Sequence, residues 1–199
     1  MTMGLLAILI AYLLGAIPFG YLLTRFTTGK DVRTEGSGNI GATNVLRAAG
    51  RGAALATMLL DVGKGFAAVW IAGILTDSSP GWMADAALAV MLGHAFPIFL
   101  GFKGGKAVAT FTGAFLYLTP IPALAGIIVF VITVAVTRYI SAGSILAAAT
   151  FPLGVWLIEH PTPTVVLAAL IAAVIVIYRH KENVQRMRTG KEPVFRWGV

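Results

Sequence analysis

The sequence contains no cysteine and few charged residues. The absence of cysteine excludes a disulfide scaffold, a thiolate metal site and a cysteine nucleophile, and it leaves the redox compartment open. Charged residues make up 12% of the chain and hydrophobic residues 58%, whereas an ordinary soluble domain carries about 25% charged residues. This composition excludes a soluble globular enzyme and predicts an all-α integral membrane protein.

Long apolar stretches alternate with short polar segments along the whole chain. Because one membrane crossing uses about 20 apolar residues, we predict a single membrane domain over residues 1–199, a bundle of seven transmembrane helices, at residues 3–23, 52–76, 83–100, 107–118, 123–137, 141–158 and 164–178. The stretch at 107–118 is short for a crossing. It therefore either crosses steeply or begins inside the glycine-rich loop that precedes it.

The distribution of basic residues predicts the orientation of these helices. Lysine and arginine number 15 against 8 aspartates and glutamates. The predicted outer loops hold Asp77, Asp85 and Glu159 but no lysine or arginine, and every basic residue except Lys64 falls in an inner loop, at an inner helix end or in the tail. The positive-inside rule then predicts an outside N-terminus, a cytosolic C-terminus and cytosol-facing glycine-rich loops in the plasma (inner) membrane. The basic excess thus indicates topology rather than nucleic-acid binding.

The first polar segment, residues 36–47, is rich in glycine and neutral hydrogen-bond donors and ends in an arginine. Glycines allow successive backbone N–H groups to face one point, and arginine binds an oxyanion in bidentate fashion. The segment therefore suits a phosphate group, with candidate residues Ser37, Gly38, Asn39, Gly41, Thr43, Asn44 and Arg47. The alternative is a glycine-rich loop that serves only close helix packing.

The second polar segment, residues 93–106, combines glycines with lysines just before a short helix. A helix N-terminus with a lysine nearby is suited to an anion, and the candidate residues are His94, Lys103, Gly104, Gly105 and Lys106. The alternatives are lysines that extend toward lipid phosphates and water, and a histidine that is only a satisfied polar group at a helix end.

Two nucleotide-binding motifs are rejected. Gly36, Gly38 and Gly41 match G-x-G-x-x-G, with Asp61 20 residues after Gly41, but no strand precedes them and Asp61 falls in a membrane helix. The second segment is not a Walker A loop, because Ala107 stands where serine or threonine would hold magnesium. Neither a dinucleotide enzyme nor an NTPase is predicted.

The third polar region has two parts. Ser141 and Ser144 lie at the start of the sixth predicted helix, and the tail holds His180, Asn183 and Arg186 three residues apart, on one face if the tail is helical. The alternative for the tail is a basic anchor on anionic lipid. Within the second predicted helix, Asp61 and Lys64 are one turn apart. Since an unpaired charge at the bilayer centre costs about 2.5–3.5 kcal/mol, they are predicted to form a structural ion pair.

Four strings from these regions occur together in one known family: SGNIGATN at 37–44, GHAFP at 93–97, FKGGKAVAT at 102–110 and RHKEN at 179–183. The chain resembles the bacterial acyl phosphate:glycerol-3-phosphate acyltransferase (PlsY) family over essentially its whole length. The resemblance implies transfer of a fatty acyl group from acyl phosphate to the sn-1 hydroxyl of glycerol 3-phosphate, the first step of phospholipid synthesis. The products are lysophosphatidic acid and phosphate.

The resemblance also implies how the reaction proceeds. Acyl phosphate is a mixed anhydride with a good leaving group, so no acyl-enzyme, metal or cofactor is expected, and a substrate phosphate assists deprotonation of the hydroxyl. The expected partners are acyl phosphate, glycerol 3-phosphate and the lipid bilayer, with no nucleic acid; the oligomeric state stays open.

Residue roles are assigned on this basis, with Ser37, Arg47, Lys106, His180 and Asn183 as catalytic residues and the other candidates as substrate-binding residues. The 37–44 loop and Lys106 are assigned to one phosphate, and Arg47, Ser141, His180 and Asn183 to the other phosphate and the glycerol. Which phosphate each set holds stays open. His180 is predicted to be neutral and to donate a hydrogen bond to glycerol 3-phosphate.

Three other classes of protein fit the sequence less well. A transporter of small phosphorylated anions would use similar basic half-helices, but the acidic outer loops would repel its cargo. A lipid-binding scaffold without catalysis accounts for the basic tail and leaves the clustered serine, threonine and asparagine unexplained. The soluble-type acyltransferase motif H-x-x-x-x-D is missing, because Phe99, Val165 and Gln185 stand five residues after the three histidines.

Overall fold

The computed structural model describes residues 1–195, and its regular elements in that range are all helical. The predicted all-α fold class is confirmed. The described chain forms two compact units, one covering Met1–Leu118 and a second that begins at Thr119. The organisation of residues 1–199 as a single domain stays a prediction.

The first unit contains five α-helices and two short 3-10 turns. The helices are α1 (Thr2–Ala16), α2 (Phe19–Thr28), α3 (Ala42–Leu75), α4 (Pro80–Ala95) and α5 (Val108–Leu118), and the turns are Val32–Thr34 and Ile98–Leu100. α1 packs on α4, and α3 packs on α5 and also contacts α1, α2 and α4. The long helix α3 is therefore central to this unit.

The second unit contains four described helices: α6 (Pro120–Thr137), α7 (Ile140–Glu159), α8 (Pro163–Arg179) and α9 (Lys181–Arg188). α7 packs against both α6 and α8. α9 continues from α8 with a bend of 51°. Proline occupies the first position of α6 and α8, where its missing N–H has no helical partner to lose.

Within residues 1–195, five helical segments are long and apolar enough to cross a membrane, and six if α8 and α9 count as one bent span. α5 is apolar but has only 11 residues, which extend about 16 Å at the α-helical rise of about 1.5 Å per residue. This length is short of the hydrocarbon thickness of about 30 Å. The number of seven crossings stays a prediction.

The spanning helices expose large apolar side chains and bury small ones. Leu9, Leu59, Ile128 and Leu157 are among the exposed large residues. The buried hydrophobic residues are mainly alanine and valine. Close approach of helices through small residues, with large apolar side chains turned outward, is typical of helices packed within lipid.

Two helices differ from the sequence prediction in where they break or begin. Ile17 is extended because the residue before a proline avoids the helical region, so the predicted crossing at 3–23 consists of α1 and α2. α3 begins at Ala42, ten residues before the predicted start at 52, and Gly50 interrupts it with φ 82°. That backbone conformation favours glycine. Residues 42–49 are therefore helical and lead from the first polar segment into the span.

α3 and α5 cross at two glycines. A Cβ atom on Gly65 would collide with the backbone oxygen of Thr110, and one on Gly113 would collide with the backbone oxygen of Val62. The absence of both side chains lets the two backbones touch.

We expect Gly65→Ala to lower the thermal unfolding midpoint in detergent, because the added methyl group forces α3 and α5 apart. Gly63→Ala is the matched control, since a Cβ there meets no atom within 4 Å and alanine has a higher helix propensity than glycine by about 1 kcal/mol. A Gly65→Ala protein as stable as Gly63→Ala would contradict the close crossing.

Candidate active site

The first polar segment is organised by the side chain of Asn44, which is 1% exposed. Its Oδ1 accepts a hydrogen bond from the Ser37 N–H at 2.9 Å. Its Nδ2 donates to the backbone oxygens of Val32 (3.0 Å), Glu35 (2.9 Å) and Asn39 (2.9 Å). These contacts make Asn44 the side chain that holds the shape of the loop.

Glycine and a second asparagine complete the turn of this loop. Gly36 and Gly38 have φ of 52° and 69°, and a side chain on Gly36 would collide with Asn44 Oδ1. Asn39 Oδ1 accepts a hydrogen bond from the Gly41 N–H at 2.8 Å. The loop is held on one side by its buried residues Val32 and Ile40, which pack in an apolar cluster.

The candidate anion-binding residues of this loop are accessible. Ser37 and Arg47 are exposed, and Thr43 is half-buried in the first turn of α3. Arg47 Cδ lies 3.5 Å from the position that a Cβ on Gly36 would take. The structure therefore places the arginine beside the glycine turn.

The second polar segment folds back on the end of α4. The Gly105 N–H donates to the His94 backbone oxygen at 3.0 Å. A Cβ on Gly105 would collide with His94 Nε2, and a Cβ on Gly104 with the His94 backbone oxygen. Both glycines are thus required by the close approach of the loop to His94. Lys103 is exposed and Lys106 is half-buried.

His94 also faces a buried ion pair of α3. Lys64 Nζ lies 2.8 Å from Asp61 Oδ1, and His94 Nδ1 lies 3.6 Å from the same oxygen. Lys64 Nζ donates in addition to the Ile17 backbone oxygen at 2.9 Å. Removal of one partner of such a buried pair costs about 3–5 kcal/mol, because the other charge is left uncompensated.

The third polar region is organised by Glu192, a residue that the sequence analysis did not single out. Asn183 Nδ2 donates to Glu192 Oε1 at 2.6 Å, and Arg186 Nε donates to Oε2 at 2.8 Å. Ser141, at the start of α7, contributes a hydrogen bond to the same carboxylate and lies 3.7 Å from Met187 Sδ. Ser144 donates to the Ile140 backbone oxygen at 3.0 Å.

The charge state of Glu192 follows from these contacts. Burial by itself raises the pKa of Glu192, but the hydrogen bonds from Asn183, Arg186 and Ser141 outweigh it and hold the pKa below its ordinary value. Glu192 is therefore a carboxylate at neutral pH. It orients two residues predicted to contact substrate.

His180 lies at the bend between α8 and α9 and is buried. Its Nδ1 is 2.8 Å from the Val176 backbone oxygen. A carbonyl oxygen only accepts, so Nδ1 carries the proton, and Nε2 of the neutral imidazole is an acceptor. At Nε2 this tautomer does not fit the donor role that the sequence predicts for a neutral His180.

The structure groups the predicted residues in three places. One is the Asn44 loop with Arg47, the second is the Gly104–Gly105 turn with His94, Asp61 and Lys64, and the third is the Glu192 cluster. Glu192 was missed because it lies outside the recognised strings. Its signal is weak: it is one of two glutamates, with Glu182, in a mainly basic tail.

Metal-ligating side chains do not cluster in the described part of the chain. No group of three or more histidine, aspartate or glutamate residues there could hold a metal ion. The charges in the three groups that are suited to a bound anion are those of arginine and lysine.

Over its described residues the protein is all-helical, with five or six helical segments apolar enough to span a membrane and polar side chains grouped in three places. Residues 5–190 match the model of the family described as glycerol-3-phosphate acyltransferase. A glycerol-3-phosphate acyltransferase of Geobacter sulfurreducens is 50% identical over 94% of this chain and 95% of its own. One of Geotalea daltonii is 45% identical over 98% of this chain and 100% of its own.

Two solved structures share the fold. Both are crystal structures of PlsY, an integral membrane glycerol 3-phosphate acyltransferase, at 38% identity and 97% coverage of this chain. The glycerol 3-phosphate form is covered over 96% of its chain with a TM-score of 0.91, and the lysophosphatidic acid form over 95% with a TM-score of 0.86. The chain belongs to the glycerol-3-phosphate acyltransferase family.

We expect Glu192→Gln to lower the thermal unfolding midpoint at pH 7, because the carboxylate loses its charge-assisted bonds. Since the pKa of Glu192 is lowered from 4.5, its stabilisation is full above that pH and disappears as the pH falls through the folded-state pKa. The difference in unfolding midpoint between the variant and the wild type should therefore become smaller below about pH 4.5.

Glu182→Gln is the matched control, since that carboxylate is exposed and 3.9 Å from Arg186. It should change the unfolding midpoint little at either pH. A Glu192→Gln gap that persists unchanged in acid would contradict the charged state of Glu192.

Proposed function

We propose that this protein transfers a fatty acyl group from acyl phosphate to the sn-1 hydroxyl of glycerol 3-phosphate. The observation that carries the proposal is the match over 97% of the chain to a structure in its glycerol 3-phosphate form. The lysophosphatidic acid form of the same fold is consistent with the product. The acyl phosphate donor follows from the resemblance of the four sequence strings.

The candidate residues are proposed to form two sets, one for each substrate phosphate. Both substrates carry phosphate, so the reaction must hold two anions while it aligns a hydroxyl with a carbonyl. We propose that the 37–44 loop and Lys106 bind one phosphate, and that Arg47, Ser141, His180 and Asn183 bind the other phosphate and the glycerol. The exposed Ser37 in the glycine turn supports the first assignment. Arg47 is exposed beside the same turn and is accessible to the other phosphate.

Indirect roles are proposed for several residues first assigned to substrate. Asn44 and Asn39 shape the first loop through their backbone contacts. Glu192 orients Asn183 and Arg186. Lys103, Gly104, Gly105, Ser144 and Arg186 stay substrate-binding predictions.

The proposed step is a direct acyl transfer. The sn-1 oxygen attacks the acyl carbonyl carbon, the bond from that carbon to the phosphate oxygen breaks, and phosphate leaves. The hydroxyl proton ends on a phosphate oxygen, so the substrate supplies the base. No covalent intermediate is required, because the mixed anhydride already carries a good leaving group, and fixed donors lower the barrier by stabilising the developing oxyanion.

His180 favours a particular contact in this step. With Nδ1 bonded to the Val176 oxygen, neutral Nε2 can accept a hydrogen bond from a hydroxyl of glycerol 3-phosphate. This contact would orient the hydroxyl, while a substrate phosphate takes its proton. The direction of the hydrogen bond is thus opposite to the one predicted from the sequence.

We further propose seven crossings, with α5 as the short fourth one, an outside N-terminus and a cytosolic C-terminus in the plasma (inner) membrane. The positive-inside distribution of lysine and arginine supports this topology. It gives the three polar groups access to glycerol 3-phosphate, a cytosolic anion, while the acyl donor is an amphiphile that arrives from lipid.

We expect the purified protein in vesicles to form lysophosphatidic acid and phosphate from acyl phosphate and glycerol 3-phosphate. Acyl-CoA at the same concentration should give only background, because the sequence carries no nucleotide-binding motif. Mass spectrometry of the lipid product and a phosphate assay measure the reaction. A steady rate with highly purified acyl-CoA would refute the proposed donor.

Arg47→Ala and Lys106→Ala should each reduce turnover by orders of magnitude, on the order of 10²-fold or more, because each removes a charge-assisted phosphate contact. Thermal unfolding should stay near wild type, since Arg47 is exposed and Lys106 only half-buried. Arg188→Ala, at an exposed basic residue of α9, is the control for general attraction to anionic lipid. Near-normal turnover of either test variant would make that residue an interfacial anchor only.

A further inference from the structure

Three ionisable side chains are buried together in the first unit and have no part in the proposed chemistry. Asp61, Lys64 and His94 are 2%, 5% and 4% exposed. Two of them are an ion pair on α3, and the third lies on the last turn of α4. Charged groups within a membrane helix are costly, so a cluster of three ionisable side chains at one point indicates a role beyond helix packing.

The cluster of Asp61, Lys64 and His94 connects three parts of the first unit. On one side, Lys64 Nζ donates at 2.9 Å to the Ile17 oxygen, at the break between α1 and α2. On the other side, His94 Nδ1 faces Asp61 Oδ1 at 3.6 Å. The position of the imidazole is thus set by a pair that is itself held by α3 and by the broken α1–α2 helix.

The opposite edge of the same imidazole lies against the glycine turn. His94 Nε2 occupies the space that a side chain on Gly105 would take, and the His94 backbone oxygen accepts the Gly105 N–H at 3.0 Å. The next residue is Lys106. A path of contacts therefore runs from Lys64 through Asp61 and His94 to the residue before Lys106.

The turn itself has an unusual backbone. Gly101, Phe102 and Ala107 have φ of 60°, 63° and 59°, and the two non-glycine residues among them are in a conformation that side chains disfavour. Such a conformation persists only where the surroundings determine it. The His94 ring is one of the surfaces that the turn rests on.

We propose that His94 is a positioning residue for Lys106, held in place by the Asp61–Lys64 pair, and that it does not itself contact substrate. This inference rests on the proposed role of Lys106 in phosphate binding. It changes the sequence prediction for His94 from a substrate ligand to a support. Loss of the support should weaken binding of a phosphorylated substrate more than it slows the chemical step.

The test compares His94→Phe with Asp61→Asn/Lys64→Met. The first keeps a ring against Gly105 but loses the polar contact to Asp61, and the second removes both charges, so that neither is left unpaired. We expect each to raise the KM for at least one of the two phosphorylated substrates about tenfold, the factor produced by losing one contact to a charged group. The factor by which kcat falls should be smaller than the factor by which KM rises. The triple variant, which combines all three substitutions, should have a KM no higher than that of the more impaired of the two variants.

Thr57→Val is the matched control. Thr57 is buried on α3 one turn before Asp61 and bonds only the Ala53 oxygen in its own helix. Its loss should leave both KM values unchanged even if it alters the unfolding midpoint. A KM rise in Thr57→Val equal to that in His94→Phe would overturn the inference, because it would reduce the effect to general destabilisation.

A second readout does not depend on activity. The chain has no cysteine, so Lys103→Cys places a unique thiol in the turn, and its rate of maleimide labelling reports the order of the turn. His94→Phe should accelerate labelling several-fold relative to Thr57→Val. An unchanged labelling rate overturns the inference; if His94→Phe does not fold, the Asp61→Asn/Lys64→Met background gives the same comparison.

The two levels of proposal can fail separately. Near-normal turnover of Lys106→Ala would overturn the phosphate role of Lys106, and accelerated labelling in His94→Phe would then support only the mechanical link. Inactive Lys106→Ala together with wild-type KM values and labelling in His94→Phe would overturn the positioning role of His94 alone.

Discussion

Backbone polar groups inside a bilayer have no water to bond with, and this constraint governs the whole structure. Helices satisfy it by themselves, so the informative places are those where a helix stops. At the break after α1, the Ile17 oxygen is satisfied by the ammonium group of Lys64. At the end of α4, the His94 oxygen receives the Gly105 N–H. The Asn44 loop, the Gly104–Gly105 turn and His180 also lie where one helix ends and another begins.

Two side chains organise the polar segments, and they do so with different chemistry. Asn44 is neutral and bonds backbone groups, so the loop around it keeps its shape whatever charge is bound nearby. Glu192 is charged and bonds side chains, so it fixes the direction of an amide and a guanidinium. A carboxylate can do this without repelling an anionic ligand only if its own charge is balanced, and Arg186 supplies that balance.

The sequence predicted the all-helical class and the family because these depend on composition and on contiguous strings. It did not predict the role of Asn44, since composition cannot distinguish an amide that faces a ligand from one that faces its own backbone. It missed the helical start of α3, because Gly41 and Gly50 flank residues 42–49 and made them resemble a loop. Glu192 was invisible for a different reason: its partners are brought to it by the fold, with Ser141 51 residues away in the chain.

The lipid-facing surface of the spanning helices and the contacts between helices differ in how strictly they require a particular side chain. A lipid-facing leucine has neighbours that are fluid and interchangeable, so isoleucine, valine or methionine serves equally well there. The glycines at the α3–α5 crossing face a rigid backbone that accepts no other residue without moving a helix. Substitutions on the lipid-facing surface should therefore disturb the fold less than substitutions at the helix crossings do.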